Sequence, residues 1–364
     1  MIRVLQVTGG LNTGGLETVA MNVARYADPS KVTFDFLVYG SKTGAYEKEA
    51  EERGFRVIHT EGRGNPIRQY ARIRDALKKY GPYDVVYSHS FFNSGIVVRA
   101  AKKAGVKKTI AHAHQAERPV DKRFDRRIFY ALMRKWLNRY ADVRLACSAA
   151  AGKHVFGKDS RFTVVLNGIE IDRFRYSADS RRKIREELGL QEDAFVLGNI
   201  GRISPAKNHR FMVDVLCETL KTDPDARLLL VGDGPLRGET EAYIREKGVS
   251  DHVIMTGRRH DVPELLSAID IFLIPSIHEG VGISAIEAQA SGLVTLASDT
   301  IPPEVKASRL LEFLPIDRGA KVWADAIAAK KADAGTREDV KAELTASGYD
   351  IAGCMKQVEQ FLLS

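Results

Sequence analysis

The sequence predicts an α/β protein of two Rossmann-like domains, each built on a doubly wound parallel sheet, with a cleft between them. Short apolar strands alternate with helical segments, which is typical of right-handed βαβ units in a parallel sheet. The alternation restarts after a polar connector near residue 171. A chain of 364 residues is also long for a single core and suits two domains.

The first domain is predicted to span residues 1–170. Its strands are short runs rich in β-branched and aromatic residues. The predicted strands are Ile2–Val7, Phe34–Tyr39, Arg56–Thr60, Asp84–His89, Lys108–Ala113, Val143–Ser148 and Thr163–Leu166. Helical segments between them are Glu17–Tyr26, Tyr70–Tyr80 and Ser94–Ala104. Ligands of such sheets bind beyond the carboxyl ends of the strands.

The second domain is predicted to span residues 171–349. It opens with a charged connector that is predicted to be helical, Arg173–Glu192. The strands that follow are Phe195–Gly201, Arg227–Gly232, Val253–Gly257, Asp270–Ile274, Leu293–Ser298 and Leu310–Leu314. The tail Ile351–Leu363 has the amphipathic pattern of a final helix.

The composition, with 44% hydrophobic and 28% charged residues, is that of an ordinary globular protein. No run reaches 18 apolar residues, and the first strand is too short for a signal peptide. Three widely spaced cysteines, Cys147, Cys217 and Cys354, suit reduced thiols. A cytoplasmic location is therefore expected.

The net charge of +8 is unevenly distributed. Residues 1–170 contain 30 Lys and Arg against 16 Asp and Glu, a net charge of +14, and the remainder has −6. Such asymmetry indicates that the first half meets something anionic, such as a membrane surface or a lipid diphosphate, unless it serves solubility alone. Nucleic acid is not expected, because no recognised module accompanies the charge.

The stretch 275–292 is predicted to bind an anion. Pro275 ends the strand before it, because proline has no donor for the sheet. Gly280 and Gly282 allow a tight turn and close approach of a ligand. A helix is predicted from about Ser284, and its N-terminus presents free N–H groups and a positive dipole end.

Two acids accompany this predicted anion site. Glu279 lies in the loop, and Glu287 follows in the helix, about 5 Å beyond Ser284. They suit a nucleoside diphosphate-sugar, whose hydroxyls would donate to the carboxylates on either side of the bound diphosphate. Two spaced acids alone would favour an ordinary strand–loop–helix unit with solvated side chains.

The stretch resembles the Glu-x7-Glu motif of retaining GT-B glycosyltransferases, particularly glycosyltransferase family 4, and the resemblance covers nearly the whole chain. It implies the GT-B fold, with residues 350–364 returning to the first domain as a helix. It also implies that Glu287 holds the ribose and that Glu279 lies near the donor sugar. The loop and first helical turn would hold the nucleotide-sugar through Gly280, Val281, Gly282, Ile283 and Ser284.

Further motifs in the second domain resemble those of the family. Gly201-Arg202 and Lys207 match its Gly-Arg-(x)n-Lys pair, which implies that these cations stabilise the leaving diphosphate. Gly232 and Arg258 match strand-end loops that line the nucleotide pocket. Asn167-Gly168-Ile169-Glu170 resembles the interdomain Asn-Gly-(Val/Ile)-Asp motif, with Glu in place of the usual Asp.

In the first domain, Gly14 and Gly15 lie in a Gly-rich loop that does not fit a dinucleotide fingerprint. In the family such a loop meets acceptor or donor phosphate. His112 and His114 end a strand and could bind a metal, but the sequence shows no further Cys/His cluster to complete a site. By the resemblance, His114, or alternatively His112, lies near the reacting groups.

The basic and aromatic segment Arg118–Tyr140 has apolar residues at four-residue spacing, at Phe124, Ile128, Leu132 and Trp136. It is interpreted either as a membrane-surface helix or as a helix that packs this stripe against the sheet. Both interpretations stay open at this point.

The resemblance implies a retaining transferase that moves a hexosyl or N-acetylhexosaminyl unit, most readily from a UDP-sugar. The catalytic residues would be His114, Glu279, Arg202 and Lys207, with no cofactor and no metal. The acceptor would be a saccharide or a lipid-linked glycan in bacterial surface polysaccharide assembly, handled in the cytoplasm or on the inner membrane face. A nucleotide-sugar epimerase and a non-catalytic nucleotide-sugar-binding subunit are the alternatives.

Overall fold

The computed structural model describes residues 1–12, 14–62, 64–114 and 124–364, with the backbone alone at Phe124. These residues form two compact units. Unit 1 consists of Met1–Gly168 with Ala352–Ser364, and unit 2 of Ile169–Ile351. Each unit contains one parallel sheet flanked by helices, so the predicted α/β fold class is confirmed.

The sheet of unit 1 has seven strands, all paired in parallel, in the order β3-β2-β1-β4-β5-β6-β7. The strands are β1 (Ile2–Thr8), β2 (Val32–Tyr39), β3 (Arg56–Thr60), β4 (Val85–Ser88), β5 (Lys108–Ala113), β6 (Val143–Ala146) and β7 (Thr163–Val164). The connecting helices are α1 (Gly15–Tyr26), α2 (Glu47–Glu52), α3 (Pro66–Tyr80), α4 (Ser94–Lys103), α5 (Phe124–Tyr140) and α6 (Ala149–Phe156). The strand order reverses between β1 and β4, which is where ligands of such sheets bind.

The sheet of unit 2 has six parallel strands in the order β10-β9-β8-β11-β12-β13. The strands are β8 (Val196–Ile200), β9 (Arg227–Val231), β10 (Val253–Gly257), β11 (Ile271–Ile274), β12 (Val294–Ser298) and β13 (Leu311–Leu314). The helices are α7 (Ala178–Glu187), α8 (His209–Thr219), α9 (Arg237–Glu246), α10 (Val262–Ala268), α11 (Ile283–Ala290), α12 (Ala320–Lys330) and α13 (Lys341–Ala346). Here the order reverses between β8 and β11, so the loops after these two neighbouring strands border the ligand position of unit 2.

The charged connector is helical over a shorter range than predicted. Residues Ile171–Phe174 form a 3-10 turn, and α7 starts only after Ser177, whose hydroxyl accepts from the N–H of Ser180. The helix stops before Gly189, which has a φ of 66°. A capping serine and a left-handed glycine therefore set the two ends.

Helix α7 is fixed to the sheet by a buried charge. The guanidinium of Arg185, only 2% exposed, donates to Asp270 Oδ2 at 2.8 Å and to the carbonyls of Ala268 and Glu192. Asp270 also accepts from Arg181 and from the N–H of Val196. A fully hydrogen-bonded buried ion pair of this kind joins α7 to the start of β11.

The last helix, α14 (Ile351–Leu363), belongs to unit 1 although the chain before it belongs to unit 2. Glu359 accepts from the N–H of Asp28 at 2.8 Å, and Lys108 donates to the carbonyl of Phe361 at 3.2 Å. Val358 and Leu362 are buried. The predicted return of the C-terminal helix to the first domain is confirmed. Among the residues that the structure describes, none of the helices has both the length and the apolar composition needed to cross a membrane.

Candidate functional site

The loop after β11 leads into α11 through a glycine in the left-handed region. Gly282 has a φ of 71° and caps the helix, which begins at Ile283, one residue before the predicted start at Ser284. A side chain at this φ would be strained, so glycine suits the position. The first N–H groups of a helix have no partner within the helix, and they lie at its positive dipole end, which is the geometry that binds anions. In α11 the N–H of Ala285 already donates to the carbonyl of Gly282 at 2.9 Å.

The hydroxyl of Ser284 strengthens this assignment. Ser284 is 8% exposed, and its Oγ is buried without a hydrogen-bond partner among the described residues. Buried hydroxyls in native proteins almost always have a partner. The hydroxyl is therefore available to an oxygen atom of a ligand at the helix N-terminus.

Glu279 and Lys207 form an ion pair within unit 2. Lys207 Nζ lies 2.5 Å from Glu279 Oε1, and Ser276 Oγ donates to the same oxygen at 2.6 Å. Both charged side chains are mostly buried, with 16% and 11% exposure. The loop after β8 and the loop after β11, singled out by separate motifs, are thus joined in one site.

Glu287 lies about one helical turn after Ser284 in α11. Burial raises the pKa of its carboxyl to about 7, and the positive charges of Arg173 and Lys207 oppose that rise. The carboxyl therefore titrates near neutral pH, as functional carboxyls often do. Arg173 was not among the predicted site residues. It follows the Asn-Gly motif, but only the packing of its 3-10 turn against α11 reveals its role.

The other cations predicted for unit 2 lie on the surface. Arg202 is exposed and makes no ion pair among the described residues. Arg258 is also exposed, with its Nε 4.0 Å from Asp233. Gly232 has a φ of 138°, and a Cβ there would lie 1.9 Å from the carbonyl oxygen of Gly201. The glycine therefore allows the loops after β8 and β9 to pack directly on each other.

In unit 1, the Gly-rich loop after β1 leads into α1. Gly14 is the N-cap and Gly15 the first helical residue. A Cβ at Gly14 would lie 2.2 Å from a carboxylate oxygen of Glu17. Thr13 lies outside the described residues. Gly14, Gly15 and His114 belong to unit 1, whereas the other predicted site residues belong to unit 2.

Three histidines meet at the carboxyl edge of the unit 1 sheet. His112 and His114 come from β5 and its end, and His89 follows the neighbouring strand β4. One nitrogen of each lies within 4.8 Å of one nitrogen of each of the others. No third metal ligand was predicted from the sequence, but the fold brings His89 to the pair. The three imidazoles could therefore hold a metal ion as well as hydrogen-bond one another.

These imidazoles are neutral at pH 7. Burial lowers the pKa of all three, and that of His114 to about 3. His89 Nδ1 lies 2.9 Å from His114 Nε2, and the Tyr87 hydroxyl lies 2.7 Å from His112 Nδ1. His112 Nε2 and His114 Nδ1 are buried without a hydrogen-bond partner among the described residues.

A cavity of about 170 Å³ adjoins this cluster within unit 1. Its lining includes His89, His114 and the aromatic residues Phe91, Phe129 and Tyr130. Phe91 has a φ of 54°, which is rare for an aromatic residue. Strained backbone of this kind concentrates at functional sites.

The basic and aromatic segment is helical from Phe124, and its first part, residues 118–123, lies outside the described residues. The helix α5 turns Met133 and Leu137 inward, where they are buried. Ile128 and Leu132 are instead 54% and 41% exposed. The interpretation that the four-residue stripe packs wholly against the sheet is therefore wrong. The buried face of α5 is the one that carries Met133 and Leu137.

Two Rossmann-like units form the fold of GT-B glycosyltransferases. Unit 2 also has a helix N-terminus, a mostly buried lysine and two glutamates in the Glu-x7-Glu spacing. Residues 13–173 match the family described as Glycosyltransferase Family 4, and residues 180–342 match Glycosyl transferases group 1. This chain belongs to glycosyltransferase family 4, as the resemblance implied.

Relatives support the assignment over the whole chain. EpsF of Bacillus subtilis (strain 168), designated a glycosyltransferase, is 33% identical over 356 residues, covering 96% of this chain and 93% of EpsF. The Escherichia coli UDP-Gal:alpha-D-GlcNAc-diphosphoundecaprenol alpha-1,3-galactosyltransferase is 29% identical over 235 residues, covering 61% of this chain and 59% of that enzyme.

Solved structures share the fold. Anabaena HepE in complex with UDP-glucose has a TM-score of 0.80 at 21% identity, with full coverage of both chains. WaaG, a glycosyltransferase involved in lipopolysaccharide biosynthesis, has a TM-score of 0.67 at 17% identity, covering 99% of this chain and 95% of WaaG.

Proposed function

We propose that this glycosyltransferase moves a hexosyl or N-acetylhexosaminyl unit from a UDP-sugar, with retention of anomeric configuration, to a saccharide or lipid-linked acceptor. The acceptor would belong to a bacterial cell-surface or extracellular polysaccharide. The observation that carries the proposal is the donor site of unit 2. There the α11 N-terminus, Lys207 and Glu287 lie close to the Ser284 hydroxyl, which has no hydrogen-bond partner among the described residues.

The donor assignment rests on charge and on relatives. A helix end and a lysine suit a diphosphate, and a carboxyl that titrates near neutrality suits ribose hydroxyls. HepE has been solved with UDP and with UDP-glucose, and the E. coli relative is named as using UDP-Gal. These names favour uridine over the other nucleotides.

In the proposed reaction, the bond between the anomeric carbon and the β-phosphate oxygen breaks while the acceptor oxygen bonds to the same face of that carbon. The acceptor proton passes to the departing phosphate oxygen. Lys207, Arg202 and the first turn of α11 stabilise the negative charge that develops on UDP. Glu279 exchanges its ion pair with Lys207 for hydroxyls of the sugar. Because fixed cations and a helix end serve the diphosphate, no metal is required.

The acceptor is assigned to unit 1 by its charge and by a relative. The first 170 residues have a net charge of +14, which attracts an anionic acceptor. The E. coli relative is named for a diphosphoundecaprenol-linked sugar, a lipid diphosphate. An acceptor of the same chemistry would suit this chain.

The test is nucleotide binding by calorimetry with UDP, GDP, ADP and CMP, followed by turnover of UDP-sugars. We expect UDP to bind most tightly and Lys207→Ala to weaken it about tenfold or more. Arg245→Ala, which removes an exposed cation of the same unit, is the control.

Absence of UDP binding would overturn the donor assignment. Inverted anomeric configuration in the product, measured by NMR, would overturn retention. Sugar isomerisation without acceptor would identify the epimerase.

We propose further that α5 docks on an anionic membrane. Exposed Ile128 and Leu132 lie beside exposed Arg127 and Lys135, a pattern typical of interfacial helices. The protein should therefore co-sediment with phosphatidylglycerol vesicles at low salt and stay in the supernatant at high salt. The double variant Ile128→Ser with Leu132→Ser should lose this binding, whereas Ile67→Ser, at an 81% exposed position on α3, should not. Equal binding by all variants would overturn the proposal.

A further inference from the structure

The side chain of Asn199 joins the two central strands of unit 2. Strands β8 and β11 pair as far as Gly198 and Phe272. One residue further along both strands, the side-chain nitrogen of Asn199 donates to the carbonyl of Leu273 at 2.7 Å. A carbonyl can only accept, so the nitrogen of the amide faces Leu273 and its oxygen faces away. Asn199 therefore lies where the strand order of unit 2 reverses, which is the ligand position of such sheets.

The oxygen of this amide has no partner. Asn199 is fully buried, and its Oδ1 makes no hydrogen bond within the described residues. Buried side-chain oxygens in native proteins almost always have a partner. Because an amide oxygen offers only lone pairs, the missing partner is a donor.

The side chain of Lys207 passes close to this oxygen. A Cβ at Gly201 would lie 3.6 Å from Asn199 Oδ1 and 3.2 Å from Lys207 Cε. The two side chains therefore border the same space, which a side chain at residue 201 would fill. Glycine at this position leaves that space open to the lysine.

Lys207 has donors to spare. Its ammonium has three, and its hydrogen-bond or ion-pair partner in the described part of the chain is Glu279 Oε1 alone, at 2.5 Å. A charge-assisted bond to a carboxylate is stronger than a bond to a neutral amide. While Glu279 is available, the ion pair therefore holds Lys207 away from Asn199, and the amide oxygen stays without a donor.

We propose that Asn199 is a positioning residue for Lys207: its side-chain oxygen accepts a hydrogen bond from the ammonium when a diphosphate draws Lys207 away from Glu279. The inference rests on the proposed function, in which Lys207 stabilises the leaving diphosphate. The flexible stem of a lysine allows this movement by rotation of the side chain alone. The ammonium then keeps one donor fixed on the protein, while the others meet phosphate oxygens.

A neutral acceptor suits this role better than a charged one. Glu279 neutralises the charge of Lys207, whereas an amide oxygen directs the ammonium and leaves its charge in place. The whole charge then acts on the negative charge that develops on the leaving diphosphate. The exchange of partners also frees Glu279 for hydroxyls of the sugar.

The first test is a double-mutant cycle in the full chain, with UDP affinity measured by calorimetry for the wild-type protein, Asn199→Val, Lys207→Met and the double variant. Valine suits a strand and has no acceptor. Asn199→Val should weaken UDP binding about fivefold, the loss of one hydrogen bond. In the Lys207→Met background the same change should cost nothing more, because Asn199 acts through the lysine. Equal losses in both backgrounds, or no loss in either, would overturn the proposal.

Two further variants separate positioning from a structural role. Thr295→Val removes the buried bond from Thr295 Oγ1 to the carbonyl of Leu293, which belongs to the same unit, and should leave UDP affinity unchanged. Asn199→Asp places a carboxylate beside Lys207 and should weaken UDP binding more than Asn199→Val does, since a charged partner competes with the phosphate. A fivefold loss in Thr295→Val, or tighter binding by Asn199→Asp, would contradict the proposal.

The second test needs no substitution of Asn199, so it holds even if those variants fail to fold. The side-chain amide of Asn199, assigned through its backbone in the ¹⁵N-labelled full chain, is observed by NMR with and without saturating UDP. Its signals should shift in the wild-type protein and stay unchanged in Lys207→Met. A shift that persists without the lysine, or no shift in the wild-type protein, would overturn the inference.

Pyrophosphate distinguishes this inference from the proposed function, because the inference concerns the diphosphate alone. If pyrophosphate or another nucleotide binds and UDP does not, the donor assignment fails, while the same cycle with the ligand that binds still tests Asn199. If UDP binds and the losses are additive, the inference about Asn199 fails and the donor assignment stands.

Discussion

Replacing Glu287 by Gln should make the pH dependence of stability smaller, because the folded protein raises the pKa of this carboxyl. The pKa rises from the ordinary 4.5 to about 7, and burial is the main cause. In the unfolded chain the same group ionises near 4.5. Between these values the unfolded state binds fewer protons than the folded state, so stability falls as pH rises. The contribution is fully present below pH 4.5 and lost as pH passes through 7.

The magnitude follows from the rise in pKa. An increase of about 2.5 in pKa corresponds to about 3 kcal/mol, of which about 2.5 kcal/mol is lost between pH 5 and pH 8. A domain of 150–250 residues changes its unfolding midpoint by about 2–4 °C per kcal/mol. The midpoint of unit 2 should therefore fall by about 5–10 °C more in the wild-type protein than in Glu287→Gln over this range.

The assay compares thermal unfolding of the wild-type protein, Glu287→Gln and Glu246→Gln at half-unit steps from pH 5 to 8. Glu246 is an exposed acid of the same unit and serves as the control. Other groups, such as His209, whose pKa burial lowers to about 4, cancel in the difference between the curves. Parallel curves for the wild-type protein and Glu287→Gln would refute the reasoning. The proposed role adds that UDP affinity should fall below pH 7 in the wild-type protein alone.

Three further substitutions test the donor site and the scaffold around it. Ser284→Ala should change stability by less than about 0.5 kcal/mol, because its hydroxyl has no partner among the described residues, yet weaken UDP binding about fivefold. A large loss of stability would mean that the hydroxyl has a structural partner. Arg185→Met should cost about 3 kcal/mol in urea unfolding, because Asp270 keeps only Arg181 as an ion-pair partner within the described chain. A neutral effect would show that the pair is dispensable. Gly232→Ala should cost about 3 kcal/mol, since its Cβ would lie 1.9 Å from a backbone oxygen. Wild-type stability in this variant would contradict the expected clash with that oxygen.

The sheets could be predicted from sequence because each strand is a short apolar run whose period differs from that of the helices. All thirteen strands of the described residues overlap predicted ones. Boundaries were less predictable where side-chain capping decides them. The connector reads as one charged helix, but Ser177 and Gly189 restrict it to α7. Hydrophobic periodicity carries no information on such ends.

The outward face of α5 shows a second limit. Ile128, Leu132 and Trp136 have helical spacing, so a buried stripe was a reasonable interpretation. Met133 and Leu137, equally well spaced, are the residues that pack inward. When two faces of a helix are both apolar, periodicity does not choose between them. Tertiary packing makes that choice.

The contacts of the proposed donor site were predictable where motifs place residues in the loops after adjacent strands. Glu279 and Lys207 were each predicted from such a motif, and the ion pair between them follows from the adjacency of β8 and β11. Arg173 was not predictable, because it influences Glu287 through the packing of a turn against α11. The positive charge of Arg173 is visible in the sequence, but the carboxyl whose pKa it lowers, that of Glu287, is not.

The histidine cluster shows what strand order adds to a motif. His89 ends a predicted strand, and His112 and His114 end the next one, yet they are separated by more than twenty residues along the chain. A search for ligands close in sequence therefore stops at two histidines. In a parallel sheet, however, consecutive strands are often neighbours, so their carboxyl ends meet. Comparing polar residues at the ends of consecutive predicted strands would have found the third histidine, and with it the 2.9 Å contact between His89 Nδ1 and His114 Nε2.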